Sequence, residues 1–185
     1  MRIIAGKYKK TNLFGANGSF CRPTTDYFKE VIFSVLFDCS DQNVLDLYAG
    51  SGALAFEALS RGANYAVMVD SSDKAIRAMK KNIEKLGCTA DCRLHKKNVF
   101  SFLKTDEQTY DLIFLDPPYN KNLVNKTLHL IMENKMLRSN SKIIVEHSKS
   151  EKIEPAFADL IDYQKDGGET MITILKSGSN DEDLQ

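Results

Sequence analysis

The chain predicts an α/β fold of the Rossmann-like kind: a mostly parallel sheet, helices on both faces, and an antiparallel hairpin at the C-terminal end. Three observations predict it. Short apolar runs alternate with amphipathic helical stretches, the pattern of successive βαβ units. A glycine-rich loop, Tyr48-Ala49-Gly50-Ser51-Gly52, separates a strand from a helix, and Asp70 stands twenty residues beyond Gly50 at the end of the next strand. Near the end, Ile161–Gln164 and Met171–Leu175 are joined through Gly167-Gly168. That connection is too short for a crossover helix, so this pair should be antiparallel.

Length and composition bound the rest. The 185 residues are 43% hydrophobic and 27% charged, enough for one good core and a single domain with short extensions. The expected division is a basic arm and helix over 1–40, the main domain over 41–176, and a polar, acidic tail over 177–185 that should be disordered. Formal net charge is zero, so bulk charge argues neither for nor against nucleic acid. No apolar run approaches a membrane span, and Met1 to Ile4 is too short for a signal peptide. The cysteines Cys21, Cys39, Cys88 and Cys92 do not resemble a disulfide framework. Cys88 and Cys92 alone do not fill a zinc shell. No metal is expected, and the setting expected is reducing cytoplasm.

Taken in order, residues 1–21 read as an extended arm with a strand or two and a turn at Gly15–Gly18. Lys7, Lys9 and Lys10 flank Tyr8, mixing cations with a ring in a way that suits a phosphate backbone and a stacking contact, although a solvated terminus would look the same. Arg22-Pro23-Thr24-Thr25-Asp26 opens a helix. Thr24 or Thr25 can cap it, Asp26 favours the positive end of its dipole, and Phe28, Val31, Ile32, Val35 and Leu36 form its buried face. Val44–Leu47 is the first core strand, Ala53–Arg61 a helix closed by Gly62, and Tyr65–Val69 the second strand. Asp73–Leu86 is an amphipathic helix with Ala75, Ile76, Met79 and Ile83 inward, ended by Gly87. A third strand near Cys92–His95 leads to Asn98-Val99-Phe100. A fourth strand is Leu112–Leu115. Helix Leu123–Glu133, strand Ile143–His147 and a short helix around Ala156–Leu160 precede the final hairpin.

The fourth strand carries the sharpest motif. The run Leu112-Ile113-Phe114-Leu115 ends abruptly in Asp116-Pro117-Pro118-Tyr119. Pro117 stops the strand because it lacks an N–H and restricts the residue before it to extended geometry. Asp116 is therefore held on stiff backbone at a strand's carboxyl end, where open α/β sheets bind ligands. Tyr119 follows on a loop stiffened by Pro117 and Pro118. A carboxylate beside an aromatic face suits a flat molecule bearing an amino group.

The glycine loop supplies a second site. Gly50 and Gly52 let the backbone approach a ligand closely, and the following helix offers unpaired N–H groups. Asp70 can accept both hydroxyls of a ribose, and Asn98 with the Val99 N–H can read the edge of an adenine. A nicotinamide dinucleotide and S-adenosylmethionine both fit this much. The sheet, however, ends in a hairpin rather than a second nucleotide-sized half. Asp46 also stands four residues before Gly50, where it can hold a ligand's ammonium group. Both features favour S-adenosylmethionine, lined by Asp46, Tyr48, Ala49, Gly50, Ser51, Gly52, Asp70, Asn98 and Val99.

The sequence resembles the 16S rRNA (guanine-N2)-methyltransferases of the RsmD type from Met1 to about Leu175. The markers are MRIIAGKY, RPTTD (Arg22 to Asp26), VLDLYAGSGALAFEALSRGA (Val44 to Ala63) and FLDPPY (Phe114 to Tyr119), with the glycine-rich turn before the last strand. The resemblance implies a seven-stranded class I methyltransferase sheet, S-adenosylmethionine, and 16S rRNA within the small ribosomal subunit or an assembly intermediate. Some positions depart from the family pattern. Tyr27-Phe28 follows Asp26 where a basic residue commonly comes first, Asp70 and Asn98 stand where Glu and Asp are common, and Gly167 stands where Tyr is expected. On this reading Asp116, the Pro117 carbonyl and Tyr119 act on an extruded guanine, and Lys7, Lys9, Lys10, Arg22, Thr24, Thr25 and Pro118 face the RNA. DPPY is shared with DNA adenine-N6 methyltransferases, which are the rival enzyme. A non-catalytic RNA-binding or assembly protein is the rival of another class.

Overall fold

This computed structural model of the chain describes residues 1–15, 23–36 and 38–178 and, within the first helix, the side chains from Tyr27 onward. In order the elements are α1 (Pro23–Leu36), β1 (Asn43–Leu47), α2 (Ala53–Ser60), β2 (Tyr65–Asp70), α3 (Asp73–Leu86), β3 (Cys92–Lys96), α4 (Val99–Leu103), β4 (Tyr110–Leu115), α5 (Leu123–Glu133), β5 (Leu137–Ser148), β6 (Ile161–Asp166) and β7 (Thr170–Lys176). The strands form one seven-stranded sheet in the order β3-β2-β1-β4-β5-β7-β6. The pairs from β3 through β5 are parallel, whereas β7 runs antiparallel to both β5 and β6. This is the expected fold class, with the hairpin where the Gly167-Gly168 connection predicts it.

The central strands are apolar on both sides because both sides are covered. Val44, Ala66, Met68, Leu112, Phe114, Ile144, Ile172 and Ile174 pack in one cluster with residues of α1, α2 and α3. Leu45, Leu47, Val67, Val69, Ile113, Leu115, Ile143, Val145 and Leu175 pack in the other with α4 and α5. Helix α3 ends as its sequence predicts, on Gly87 at φ 65°. Three elements differ from expectation. Asn98 caps a short helix, α4, that the sequence reading leaves out. Strand β5 begins at Leu137 rather than Ile143. In α1 the buried residues are Phe28, Ile32, Phe33 and Leu36, while Val31 and Val35 are only half-buried. Phe33 goes inward because it meets both the Phe114 ring, 5.8 Å away, and the Arg61 guanidinium, 4.7 Å from its centroid.

The N-terminal arm is bound to the domain by polar contacts that helix α2 supplies. The fully buried Glu57 carboxylate accepts from the backbone N–H of Ile4 (2.7 Å) and Ala5 (3.0 Å), and pairs with Arg61 at 2.9 Å. Removing that carboxylate would leave three part-buried donors without their acceptor, each costing at most ~1–3 kcal/mol. The Lys7 N–H donates to the Ser60 carbonyl (2.8 Å) and the Tyr8 N–H to the Ser60 hydroxyl (2.9 Å). Gly6, at φ 79°, allows this approach: a Cβ there would lie 1.7 Å from the Ser60 carbonyl oxygen. Asn82 of α3, fully buried, closes the arm by bonding both the N–H and the carbonyl of Phe14. Ile3 and Leu13 thereby join the same core cluster as the sheet.

Candidate functional site

A row of acids crosses the carboxyl edge of the sheet. Asp46 of β1 is in register with Met68 and Phe114, and Phe114 with Ile144. Asp70, Asp116 and Glu146 each lie two residues beyond those partners, so alternation puts all four acids on the face that carries α1, α2 and α3. Across strands β2-β1-β4-β5 they read Asp70, Asp46, Asp116, Glu146.

At the β1–β2 end the loop is shaped by backbone geometry. Tyr48, Gly50 and Gly52 have φ of 59°, 56° and 76°. A Cβ on Gly52 would lie 2.6 Å from the Phe56 ring and 2.8 Å from the Met68 sulfur, so core packing and the positive φ both require glycine there. Asp70 accepts from the N–H of Gly50 (2.9 Å) and of Ser72 (2.8 Å), fixing the loop to the end of β2. The Ala49 N–H donates to the Val69 carbonyl, and the buried Asp46 accepts from the Ala55 N–H at 3.2 Å in the first turn of α2. Burial above all, with the nearby Asp70 charge adding to it, pushes the Asp46 carboxyl up to about 7 against the opposing pull of the Ala55 N–H. Among the described residues no cation pairs with Asp46. Such an acid, at the foot of an open glycine cradle, fits a ligand's ammonium group.

The side chains of this loop divide their tasks. The Tyr48 hydroxyl shares a hydrogen bond with Thr127 of α5 at 3.1 Å, so its ring is turned to the opposite face of the sheet. The Ser51 hydroxyl faces the Met1 sulfur and its carbonyl accepts from Asn82. Tyr48 and Ser51 can therefore line the cradle through their backbone. Asn98 sits at the same edge, two residues past Lys96, which pairs with Asp70. Its side-chain oxygen accepts from the N–H of Phe100 (2.9 Å) and Ser101 (3.4 Å), so its amide NH2 and the Val99 N–H at the helix start take no part in the cap.

The β4–β5 end is built differently. Asp116 is half-buried, Pro117 buried, Pro118 exposed and Tyr119 half-buried. The Tyr119 hydroxyl donates to Glu146 Oε1 at 2.9 Å and lies 3.2 Å from the Thr170 hydroxyl at the start of β7. This holds the ring beside Asp116. Burial raises the Asp116 carboxyl well above the usual range, and the Glu146 and Asp46 charges raise it further. Glu146 is raised too, by burial, with the Tyr119 hydroxyl opposing. Sequence reasoning missed Glu146 and Thr170. A signal for Glu146 was present: it follows the run Ile143-Ile144-Val145 as Asp116 follows Leu112–Leu115.

The residues expected to face nucleic acid are scattered. Lys7 bonds Asp91 at 3.3 Å, immediately before β3 begins, and its backbone is tied to Ser60 at the end of α2. The Lys7–Lys10 turn therefore lies at the amino edge of the sheet, about 20 Å from Asp116 across six strand residues. Lys7, Lys9 and Lys10 are not part of the acid-lined site, because Gly6 and Ser60 anchor that turn to the far end of α2. By contrast α1 starts at the carboxyl edge, since Phe28 packs on Gly167 of the β6–β7 turn, and a Cβ on Gly167 would lie 2.3 Å from its ring. The Phe28 ring thus fills the space above Gly167, which stands where Tyr is expected. Lys29 turns inward and its ammonium donates to the Arg2 carbonyl. Arg22 and Cys21 lie outside the described residues, as do the side chains of Thr24 and Thr25. An open groove lined by Asn43, Tyr65, Asp91, Tyr110 and Arg138 is at the amino edge, away from the acids.

Comparison with known proteins places this geometry. The family described as "Conserved hypothetical protein 95" matches residues 1–176. The chain is 36% identical to the Bacillus subtilis protein named "Putative rRNA methyltransferase YlbH", over 95% of this chain and 98% of that one. It is 35% identical to the Ribosomal RNA small subunit methyltransferase D of Haemophilus influenzae, over 83% of this chain and 81% of that protein. The solved structure titled "Putative methyltransferase yhhF from Escherichia coli" superposes with a TM-score of 0.86 at 28% identity, covering 97% of this chain and 99% of that one. Matched over residues 1–176 and at 35–36% identity over most of its length, the chain belongs to the RsmD-type family of 16S rRNA (guanine-N2)-methyltransferases.

Proposed function

We propose that the protein methylates the exocyclic N2 amine of a guanine in 16S rRNA, with S-adenosylmethionine as donor, on a base extruded from its stack. The observation that carries this reading is the alignment of the glycine cradle, Asp46 to Asp70, with Asp116 and Tyr119 on one edge of one sheet. The cradle fits the donor: Asp46 is a buried acid with no cation partner among the described residues, and Asp70 pins the Gly50 backbone beside it. Asp46 would hold its ammonium group, Asp70 its ribose hydroxyls, and Asn98 with the Val99 N–H its adenine. When bound, S-adenosylmethionine supplies a methyl group on a cationic sulfur, an electrophile that already carries a good leaving group.

The chain's own residues then deal with a poor nucleophile. The guanine amine has its lone pair delocalised into the ring. Asp116 and the Pro117 carbonyl accept hydrogen bonds from the N2 hydrogens and favour pyramidal geometry at nitrogen. As the amine is alkylated, its surplus proton passes to the Asp116 carboxylate. Tyr119, tied by its hydroxyl to Glu146 and Thr170, offers the base its face. Holding reactants in attack geometry is worth ~7–11 kcal/mol, so positioning supplies much of the rate.

Site choice comes from elsewhere. Extruding a base costs roughly a few kcal/mol. Stacking on Tyr119 returns about 1–3 kcal/mol and a charge-assisted hydrogen bond to Asp116 about 1.5–3 kcal/mol. These nearly cancel, so the pocket holds a flipped base without selecting its RNA. We assign selection to the start of α1, Arg22 with Thr24, Thr25 and the exposed Tyr27, to Pro118, and to the small ribosomal subunit or its precursor in the cytoplasm. Lys7, Lys9 and Lys10 can meet only RNA that wraps toward the amino edge.

Incubating the protein with labelled cofactor and naked 16S rRNA, small subunits or DNA, then mapping the product, tests the reading. Label on guanine N2 of 16S rRNA is expected. Label on DNA adenine, the rival for which the relatives give no support, or on no nucleic acid at all, would overturn it.

A further inference from the structure

The geometry points to Glu146 as the residue that makes this site specific for guanine, by accepting a hydrogen bond from ring N1–H while Asp116 takes the N2 amine. This inference rests on the guanine-N2 reading above. Strands β4 and β5 pair in parallel with Leu115 opposite Val145, so the next residues, Asp116 and Glu146, stand side by side. Adjacent strands are ~4.8 Å apart. Two acceptors therefore sit where a base edge would present its groups.

Among the amine-bearing bases only guanine presents two donors together, N1–H next to N2–H2. Adenine places an acceptor, N1, beside its amine, and cytosine places N3 beside its amine. A carboxylate next to Asp116 attracts the first arrangement and repels the other two. Glu146 is equipped for this. Its Oε1 takes the Tyr119 hydroxyl at 2.9 Å, which orients the group, and a carboxylate has further lone pairs to offer. Among the described residues neither Asp116 nor Glu146 forms an ion pair.

The plainer role, an anchor for Tyr119, does not require an acid. A neutral acceptor would serve the tyrosine equally well without repelling Asp116. Burial raises both carboxyls, and on Asp116 the Glu146 charge adds to it. Two uncompensated acids side by side are stabilised by an incoming pair of donors.

The test uses 16S rRNA, assembled into small subunits where naked RNA is not accepted, carrying 2,6-diaminopurine at the mapped guanine. That base keeps the N2 amine but has a bare acceptor at N1. Sites built to bond a substrate N–H reject analogues lacking it by up to ~10⁴–10⁵ when dry. For this half-open site we expect wild type to favour guanine by ~100-fold or more in kcat/KM. Glu146→Gln should cut that ratio by ~10-fold or more, because an amide can turn its NH2 to the bare N1 and still accept from Tyr119. Intrinsic differences between the two amines cancel in the comparison of ratios. A melting curve establishes that the variant is folded. Tyr119→Phe, which releases Glu146 but keeps the ring, should cut the ratio less. If Glu146→Gln slows both bases in the same proportion, or leaves the ratio at the wild-type value, Glu146 is only an anchor and the inference fails. If wild type labels no guanine N2, it is the underlying reading that fails.

Discussion

The two halves of the acid row are held by different means. On the β1–β2 side every acid is engaged by main chain: Asp70 takes the Gly50 and Ser72 N–H groups, and Asp46 takes that of Ala55. On the β4–β5 side the contacts are side chain to side chain, from Tyr119 to Glu146 and Thr170. Among the described residues Asp116 receives no hydrogen bond at all. The first half is pre-organised by the loop that it organises, which suits one unvarying cofactor. The second leaves the Asp116 carboxyl without a protein donor among the described residues, which suits an acceptor for a substrate's N–H groups.

The contrast can be broken from either side. Asp116→Ala should reduce methyl transfer by ~10²–10⁴-fold, the range for losing a positioned proton acceptor. Cofactor affinity by calorimetry should stay within a few-fold, because the cradle does not lean on Asp116. Asp70→Ala should do the reverse. Charge-assisted bonds are worth about 1.5–3 kcal/mol each, so cofactor Kd should weaken ~10–100-fold, with turnover at saturating cofactor much less changed. Tyr119→Ala should raise the KM for RNA by ~10-fold, in line with ~1–3 kcal/mol per stacked base, and leave cofactor Kd alone.

A further effect concerns stability. Asp46 is raised to about 7 in the fold, against ~3.9 in an unfolded chain. Between those values the folded state holds a proton that the unfolded state has lost, so stability falls as pH rises through that window. Asp46→Asn keeps an acceptor for the Ala55 N–H and removes the charge. Its Tm should match wild type near pH 4 and exceed it by up to ~10 °C above pH 7, since a rise from ~3.9 to about 7 corresponds to ~4 kcal/mol and ~1 kcal/mol moves Tm by ~2–4 °C at this size. Saturating cofactor should shrink that advantage; an advantage independent of pH would mean that the Asp46 carboxyl does not titrate between about pH 4 and 7 in the fold.

Local chemistry was legible wherever its cause was local. Gly87 and Gly62 end their helices, Pro117 ends β4, and the glycine loop and Asp70 are visible as spacing. Elements set by distant partners were not. The stretch Leu137–Ser141 reads as loop, yet it is strand because β4 begins beside it and the Ser177 hydroxyl donates to the Arg138 carbonyl. Asn98 reads as a ligand-edge residue, and the five-residue helix it caps is too short to show a period. The arm's basic run looked like part of the site because nothing near it in sequence reveals Glu57, Ser60 and Asn82, the groups that carry it to the far edge. Glu146 was hidden for another reason: an acid after an apolar run is common, and only strand register makes it a neighbour of Asp116.

The most direct test of the account is a crystal structure with S-adenosylhomocysteine. It should show the amino group on Asp46, the ribose on Asp70, and the sulfur facing an open space that ends at Asp116 and Tyr119. A sulfur pointing away from Asp116, or walled off from it by protein, would contradict the claim that the two halves of the row serve one transfer.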